Sequence, residues 1–232
     1  MMDFCDLSQL TFDEFVTFFF NHDMVTEEYW YRDPSYFDCD DLTGEGAASP
    51  KTIVEHLTHL FRGFDEVAAK FSPQQINAGI WAILGVAPFC LQKYLWLPSA
   101  PLALRLACIR SMYDVYANHV SKSTVPVMEN CFYMWWDLVA RGFWQYLHGI
   151  EEGNTKALNQ EQTELLEAIF ETLCKILALS DLRTQADALH GLGHLHHPGV
   201  RKVLHQYLDQ HRHDLGPEGI KWLEKCRDGT VM

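Results

Sequence analysis

Three residues with metal-ligating side chains recur on one side of a predicted helix in the last quarter of the sequence. Asp187, His190 and His194 stand at positions i, i+3 and i+7, which places them within about 60° of one another on an α-helix. Neutral imidazoles together with a carboxylate suit zinc or iron. A local cluster without a ligand from a second element rarely completes a coordination sphere. We therefore expect a polar flank here, with a metal site as the alternative.

A second pair of charged residues lies in the most aromatic segment, CFYMWWDLVARGFWQYL at 131–147. Asp137 and Arg141 are four residues apart, a spacing that predicts an ion pair on one helix face. The segment is apolar on nearly all sides but too short and too charged to span a bilayer, so we interpret it as a buried helix. Such a pair is desolvated and needs further hydrogen bonds, or it lines a pocket.

Acidic residues concentrate in the first part of the chain. Residues 1–45 hold twelve acids and one base, a net charge of −11, whereas residues 46–232 hold nineteen acids and seventeen bases, a net charge of −2. This surface disfavours nucleic acid and could steer a basic protein partner. The candidate partner-binding residues are an aromatic anchor and four steering acids: Trp30, Asp38, Asp40, Asp41 and Glu45.

The composition is that of a globular chain with a large core. Of 232 residues, 48% are hydrophobic, with fourteen Phe, nine Tyr and seven Trp, which excludes a disordered protein. The seven cysteines form no C-x-x-C pair, so we expect mostly buried, reduced thiols. The first residues lack a basic, signal-like stretch, and we expect a cytoplasmic location and no membrane association.

Helix start signals recur along the sequence and predict an all-α fold. Thr11 with Glu14, Ser72 with Gln75 and Asn159 with Gln162 have the spacing of capping boxes. Two regions, 1–150 and 151–232, are separated by the glycine-containing stretch 149–159 unless they form one continuous domain. The predicted helices cover 12–21, 50–69, 73–84, 101–119, 126–147, 160–178, 181–195, 199–212 and 217–226.

The helices at 181–195 and 199–212 are predicted to form an αα-hairpin with facing apolar stripes. Pro198 suits the first turn of the second helix, because its missing amide hydrogen has no intrahelical partner there. The two predicted stripes are Leu182, Ala186, Leu189 and Gly193, and Val200, Val203, Leu204, Tyr207 and His211.

The turn between these two helices carries a family resemblance. The segment LGHLHHP at 192–198, followed by Val200, Leu204 and Leu208, resembles the LG-x-LG-D-P turn of short HEAT-like repeats over about one repeat, residues 181–212. The resemblance implies antiparallel helical hairpins in a degenerate HEAT-like superhelix. HEAT-like proteins include binding scaffolds, bilin lyases and a di-iron hydroxylase that binds iron through His-Glu pairs, a dipeptide that this sequence lacks.

These observations favour a non-catalytic cytoplasmic protein-binding or adaptor module of helical-repeat type. The sequence contains no G-x-S-x-G, phosphate-binding glycine loop or H-E-x-x-H motif and indicates no cofactor. Two alternatives stay open: an enzyme that uses the histidine site, with or without a metal, and a HEAT-like lyase acting on an open-chain tetrapyrrole. The identity of the partner and the oligomeric state are not encoded in any recognisable pattern.

Overall fold

The computed structural model describes residues 7–22, 49–85, 89–123 and 131–231. Within these ranges the chain is helical and contains no β-strand, which confirms the predicted all-α class. Two short 3₁₀ helices, Val120–Lys122 and Thr155–Ala157, accompany the α-helices. The α-helices are α1 (Phe12–Phe20), α2 (Pro50–Arg62), α3 (Phe64–Ala68), α4 (Pro73–Leu84), α5 (Lys93–Trp96), α6 (Leu102–Asn118), α7 (Cys131–Gln145), α8 (Gln160–Leu177), α9 (Leu182–Leu195), α10 (Val200–His211) and α11 (Pro217–Arg227).

The predicted capping boxes are present at the starts of α1, α4 and α8. At α8 the side chain of Asn159 accepts a hydrogen bond from the Gln162 amide, and the Gln162 side chain accepts one from the Asn159 amide, both at 2.9 Å. These reciprocal bonds satisfy amides that have no partner within the helix. Helix starts were therefore predictable from residue types three positions apart.

The predicted helix at 50–69 is instead two helices, α2 and α3, that meet at Gly63. Glycine has low helix propensity, and its backbone here (φ −106°, ψ 28°) leaves the helical region. The four-residue helix α5 was not predicted, because a single turn is too short to show a helical period.

Helix α7 lies at the centre of the hydrophobic core. Trp135, Trp136 and Phe143 are fully buried on it, and the Phe61 ring lies 5.1 Å from that of Trp135. This burial confirms that the aromatic segment at 131–147 is a core helix. No helix in the described ranges is both long and apolar enough to cross a lipid bilayer.

Helix α9 packs most extensively on α7 and also contacts α8, α10 and α11. A glycine permits the close approach to α7: a Cβ atom on Gly191 would lie far inside the contact distance of the Trp136 Cβ. On the side facing α11, a Cβ on Gly193 would clash with Val231 and with the backbone of Cys226. The position of α9 therefore depends on small residues at 191 and 193.

The predicted apolar stripe of α9 is wrong at its first member. Leu189 and Gly193 are buried, but Leu182, the first residue of α9, is 72% exposed. Pro198 also lies before the helix it was expected to open, since α10 begins at Val200 with Gly199 as its N-cap. The turn instead depends on His196, whose backbone is left-handed (φ 55°).

Candidate functional site

Facing side chains of α7 and α9 bring together Asp137, Arg141, His190 and His194. Each helix contributes a pair at positions i and i+4, which projects both side chains of the pair from one face. The tight packing of α9 on α7, which the absent side chain of Gly191 permits, holds the two pairs within contact distance. We call these four residues the histidine network.

The predicted ion pair between Asp137 and Arg141 is present in the structure. Arg141 Nε lies 2.7 Å from Asp137 Oδ1, with the aspartate side chain 3% exposed and the arginine side chain 62% exposed. Only the Asp137 carboxylate is therefore removed from water, whereas the Arg141 guanidinium remains solvated. Asp137 Oδ1 accepts no hydrogen bond of acceptable geometry, so this contact is electrostatic rather than a well-aligned hydrogen bond.

The two histidines lie between the Asp137 carboxylate and a backbone carbonyl of α7. His194 Nδ1 lies 3.5 Å from Asp137 Oδ1, and His194 Nε2 lies 3.2 Å from His190 Nε2. His190 Nδ1 lies 3.3 Å from the backbone oxygen of Tyr133, whose ring stacks on the His190 ring with centroids 4.2 Å apart. The arrangement is a linear series of carboxylate, imidazole, imidazole and carbonyl.

Burial lowers the pKa of both His190 and His194 below the ordinary value for histidine. For His194 the charge of Asp137 opposes this effect, and the nearby His190 adds to it. A lowered pKa means that the imidazoles are mainly neutral near pH 7. Neutral rings have a nitrogen lone pair available, so the network can accept a proton or coordinate a metal ion.

Asp187 does not complete a three-ligand metal site with His190 and His194. Across the described part of the chain, no three or more His, Cys, Asp or Glu side chains are placed to hold one metal ion. Burial raises the pKa of Asp187 to about 7, and the charge of Asp181 contributes to the increase. The sequence grouped Asp187 with the histidines because helical spacing shows a shared face but not where the side chains converge.

Two further histidines occupy the turn after α9 and anchor it. His196 Nε2 lies 3.2 Å from Glu152, and His197 Nε2 lies 3.0 Å from Glu167. His197 Nδ1 accepts a hydrogen bond from the Gly199 amide, which places the ring hydrogen on Nε2 facing the carboxylate. These contacts explain the histidine-rich turn as a structural element.

A surface groove of about 300 Å³ lies against α2 and α6. Charges of both signs line it, with Arg62 and Arg110 beside Asp114. Burial raises the pKa of Asp114 although Arg62 opposes the shift, and Arg110 lies 3.7 Å from Glu171. The groove is therefore mixed in charge and has no strong preference for anions or cations.

The candidate partner-binding residues, Trp30, Asp38, Asp40, Asp41 and Glu45, lie outside the described residues. The helices on either side, α1 and α2, are described and contact each other. Phe12 of α1 stacks on His59 of α2 with centroids 3.8 Å apart, and His56 Nε2 lies 2.9 Å from the Leu10 carbonyl oxygen. These contacts hold α1 and α2 against each other.

Comparison with known proteins gives no relative for this fold or this site. No family model, curated protein or solved structure matches the chain. Sequence reasoning had identified Asp137 with Arg141 and His190 with His194, but it missed Tyr133 and the contact between Asp137 and His194. No local signal links residues 57 positions apart, so only the packing of α7 on α9 could reveal this contact.

Proposed function

We propose that this protein is a non-catalytic protein-binding or adaptor module, in which residues 1–45 recognise a basic protein partner. One observation carries the proposal: this fifth of the chain holds a net charge of −11, whereas the other 187 residues together hold −2. Charge concentrated in this way attracts an oppositely charged partner over several ångströms and accelerates the first encounter.

Within this region we assign two physical roles. Asp38, Asp40, Asp41 and Glu45 steer the partner, since exposed carboxylates act mainly on the association rate. Trp30 anchors the complex, because a large aromatic ring buried at a contact contributes most to slow dissociation.

The rest of the chain serves as a helical-repeat scaffold in this proposal. Residues 181–212 would form a HEAT-like hairpin of a degenerate superhelix, with α9 and α10 joined by the short turn 196–199. We place the protein in the cytoplasm. Four described cysteines are free thiols, which fits a reducing compartment: Cys108, Cys131, Cys174 and Cys226.

The experiment compares two variants with the same change in net charge. The first variant, called the arm variant because it changes the acidic arm at residues 1–45, replaces Asp38, Asp40, Asp41 and Glu45 by the corresponding amides. The control variant replaces four acids on the exposed surface of the helical body by amides, namely Glu66, Glu151, Asp214 and Glu218. Partners recovered by pull-down with the wild-type chain are purified, and association and dissociation rates are measured at several salt concentrations.

We expect the arm variant to associate more slowly and to lose most of its salt dependence, while its dissociation rate stays nearly unchanged. The control variant should associate at close to the wild-type rate. Trp30→Ala should have the opposite effect, faster dissociation with little change in association. Recovery of only acidic or uncharged partners, or equal slowing by both charge variants, would contradict the proposal.

A further inference from the structure

The rings of His190 and His194 face each other through the same type of nitrogen. Their Nε2 atoms are 3.2 Å apart, and the ring planes are almost perpendicular, at 86°. Spacing of four residues on α9 places both rings on one helix face. On its far side each ring meets an oxygen atom that belongs to α7: the Tyr133 carbonyl for His190 and the Asp137 carboxylate for His194.

These two oxygens determine where the ring hydrogens lie. The Tyr133 carbonyl can only accept a hydrogen bond, so His190 Nδ1 at 3.3 Å must carry the hydrogen. Asp137 Oδ1 is buried and accepts no hydrogen bond, and His194 Nδ1 lies 3.5 Å from it. A hydrogen on this nitrogen stabilises the carboxylate, because buried polar atoms without a partner are costly.

With hydrogens on both Nδ1 atoms, neutral rings are left with a lone pair on each Nε2. Two lone pairs on nitrogens only 3.2 Å apart repel each other, and a cation bound by both nitrogens removes that repulsion. Metal-ligating histidines have this arrangement: the free nitrogen binds the metal, while the other donates to a carboxylate or a backbone carbonyl. Here the Tyr133 carbonyl oxygen lies 3.3 Å from His190 Nδ1, and the Asp137 carboxylate lies 3.5 Å from His194 Nδ1.

We propose that His190 Nε2 and His194 Nε2 together bind one divalent transition-metal ion, with Asp137 and the Tyr133 carbonyl as positioning groups. Imidazole nitrogens bind zinc at about 2.0–2.1 Å, so two such nitrogens in tetrahedral geometry lie about 3.3 Å apart. The observed spacing of 3.2 Å between the two Nε2 atoms matches this distance. Imidazole ligation suits zinc, copper, nickel and cobalt rather than magnesium or calcium.

The outer end of the network is the part of the proposed site nearest to solvent. The His194 side chain is 11% exposed, and Arg141 beside it is largely in water. Since the described part of the chain supplies no third ligating side chain to the group, water completes the coordination sphere. This site is independent of the protein-recognition role of residues 1–45, and either proposal can fail without the other.

The test uses the full chain, stripped of metal with a chelator and titrated at neutral pH. Zinc binding is followed by calorimetry, and cobalt(II) binding by its visible absorption, which reports coordination geometry. We expect one equivalent of metal per chain and a rise in the melting temperature when zinc is in excess. His190→Gln and His194→Gln should each weaken binding at least roughly tenfold and remove the zinc-dependent rise.

Two further variants separate this site from weak binding elsewhere. Asp137→Asn keeps both ligands but removes the carboxylate behind His194, so binding should weaken about 10–100-fold. His205→Gln, which changes an exposed histidine on α10, should bind metal like the wild type. If the buried His190→Gln fails to fold, as judged by circular dichroism, the partly exposed His194→Gln together with Asp137→Asn decides the question.

Two results would overturn the proposal. One is the absence of saturable binding, which would show that the position between the rings holds only a hydrogen. The other is binding that survives in folded His194→Gln and Asp137→Asn proteins, which would place the metal at other histidines.

Discussion

Two buried aspartates on adjacent helices, Asp137 of α7 and Asp187 of α9, have opposite surroundings. Asp137 lies within 3.5 Å of Arg141 and His194. Asp187 forms no salt bridge with the described part of the chain, and burial raises its pKa to about 7 although the charge of Arg183, four residues earlier, opposes the shift. Arg183 lies against Asp181 instead. The comparison shows that a cation at helical spacing compensates for the burial of a carboxylate only where the two groups are in contact.

The difference between Asp137 and Asp187 also determines what each carboxyl group can do. A compensated carboxylate can hold an imidazole in one orientation, which is what the proposed metal site requires of Asp137. A buried carboxyl group that makes no salt bridge gains a proton more readily and becomes a neutral polar group, as Asp187 does over part of the neutral range. The sequence placed Asp187 with the histidines, but its environment gives it a different role.

The largest expected effect concerns the packing that buries both aspartates. Leu189 is buried on α9, between Asp187 and His190 in the sequence. The substitution Leu189→Ala should lower the free energy of unfolding by about 2–5 kcal/mol. Leu182→Ala on the same helix is the matched control, since its side chain is 72% exposed and should cost less than about 0.5 kcal/mol. Urea denaturation measures both, and equal losses would show that the face of α9 is wrongly assigned.

The second prediction concerns Asp187 and the pH dependence of stability. The pKa of this carboxyl is near 3.8 in the unfolded chain and about 7 in the folded one, so the folded state holds the extra proton between these values. Its contribution to stability is complete below about pH 4 and is lost as the pH rises to 7. Asp187→Asn should therefore stabilise the protein increasingly with pH, by at most about 4 kcal/mol above pH 7.

Denaturation of the wild type and of Asp187→Asn at pH 5 and pH 8 measures this difference. Asp214→Asn, at an exposed position on the surface, is the control and should leave the pH dependence unchanged. A gain from Asp187→Asn that is the same at both pH values would contradict the raised pKa.

The smallest expected effect concerns the ion pair of Asp137. Arg141→Gln removes the closest cation from a buried carboxylate and should cost about 1 kcal/mol, a modest value because the arginine is largely exposed. Adding Asp137→Asn should restore part of the loss, since no buried charge is then left without a partner. A double-mutant cycle measures the coupling, and strictly additive losses would contradict the interaction.

Much of the fold was predictable from local patterns. The capping boxes at Thr11, Ser72 and Asn159 mark true helix starts, and the pairing of Asp137 with Arg141 follows from its spacing. The break at Gly63 and the single turn of α5 were missed, because neither a lone glycine nor four residues alters a helical period decisively. In the histidine network, the i, i+4 pairs were visible in the sequence, but the contact between helices was not.

The sequence by itself determined the helical class, the helix starts and the concentration of acids in residues 1–45, because these depend on residues near one another in the chain. Only the tertiary structure decided that Leu182 is exposed, that Asp187 is buried without a salt bridge, and that His194 meets Asp137. These properties depend on how α9 packs against its neighbours. Packing decides this arrangement, because Trp136 can lie against α9 only where Gly191 has no side chain. Packing brings together residues that are distant in sequence, so local patterns do not reveal it.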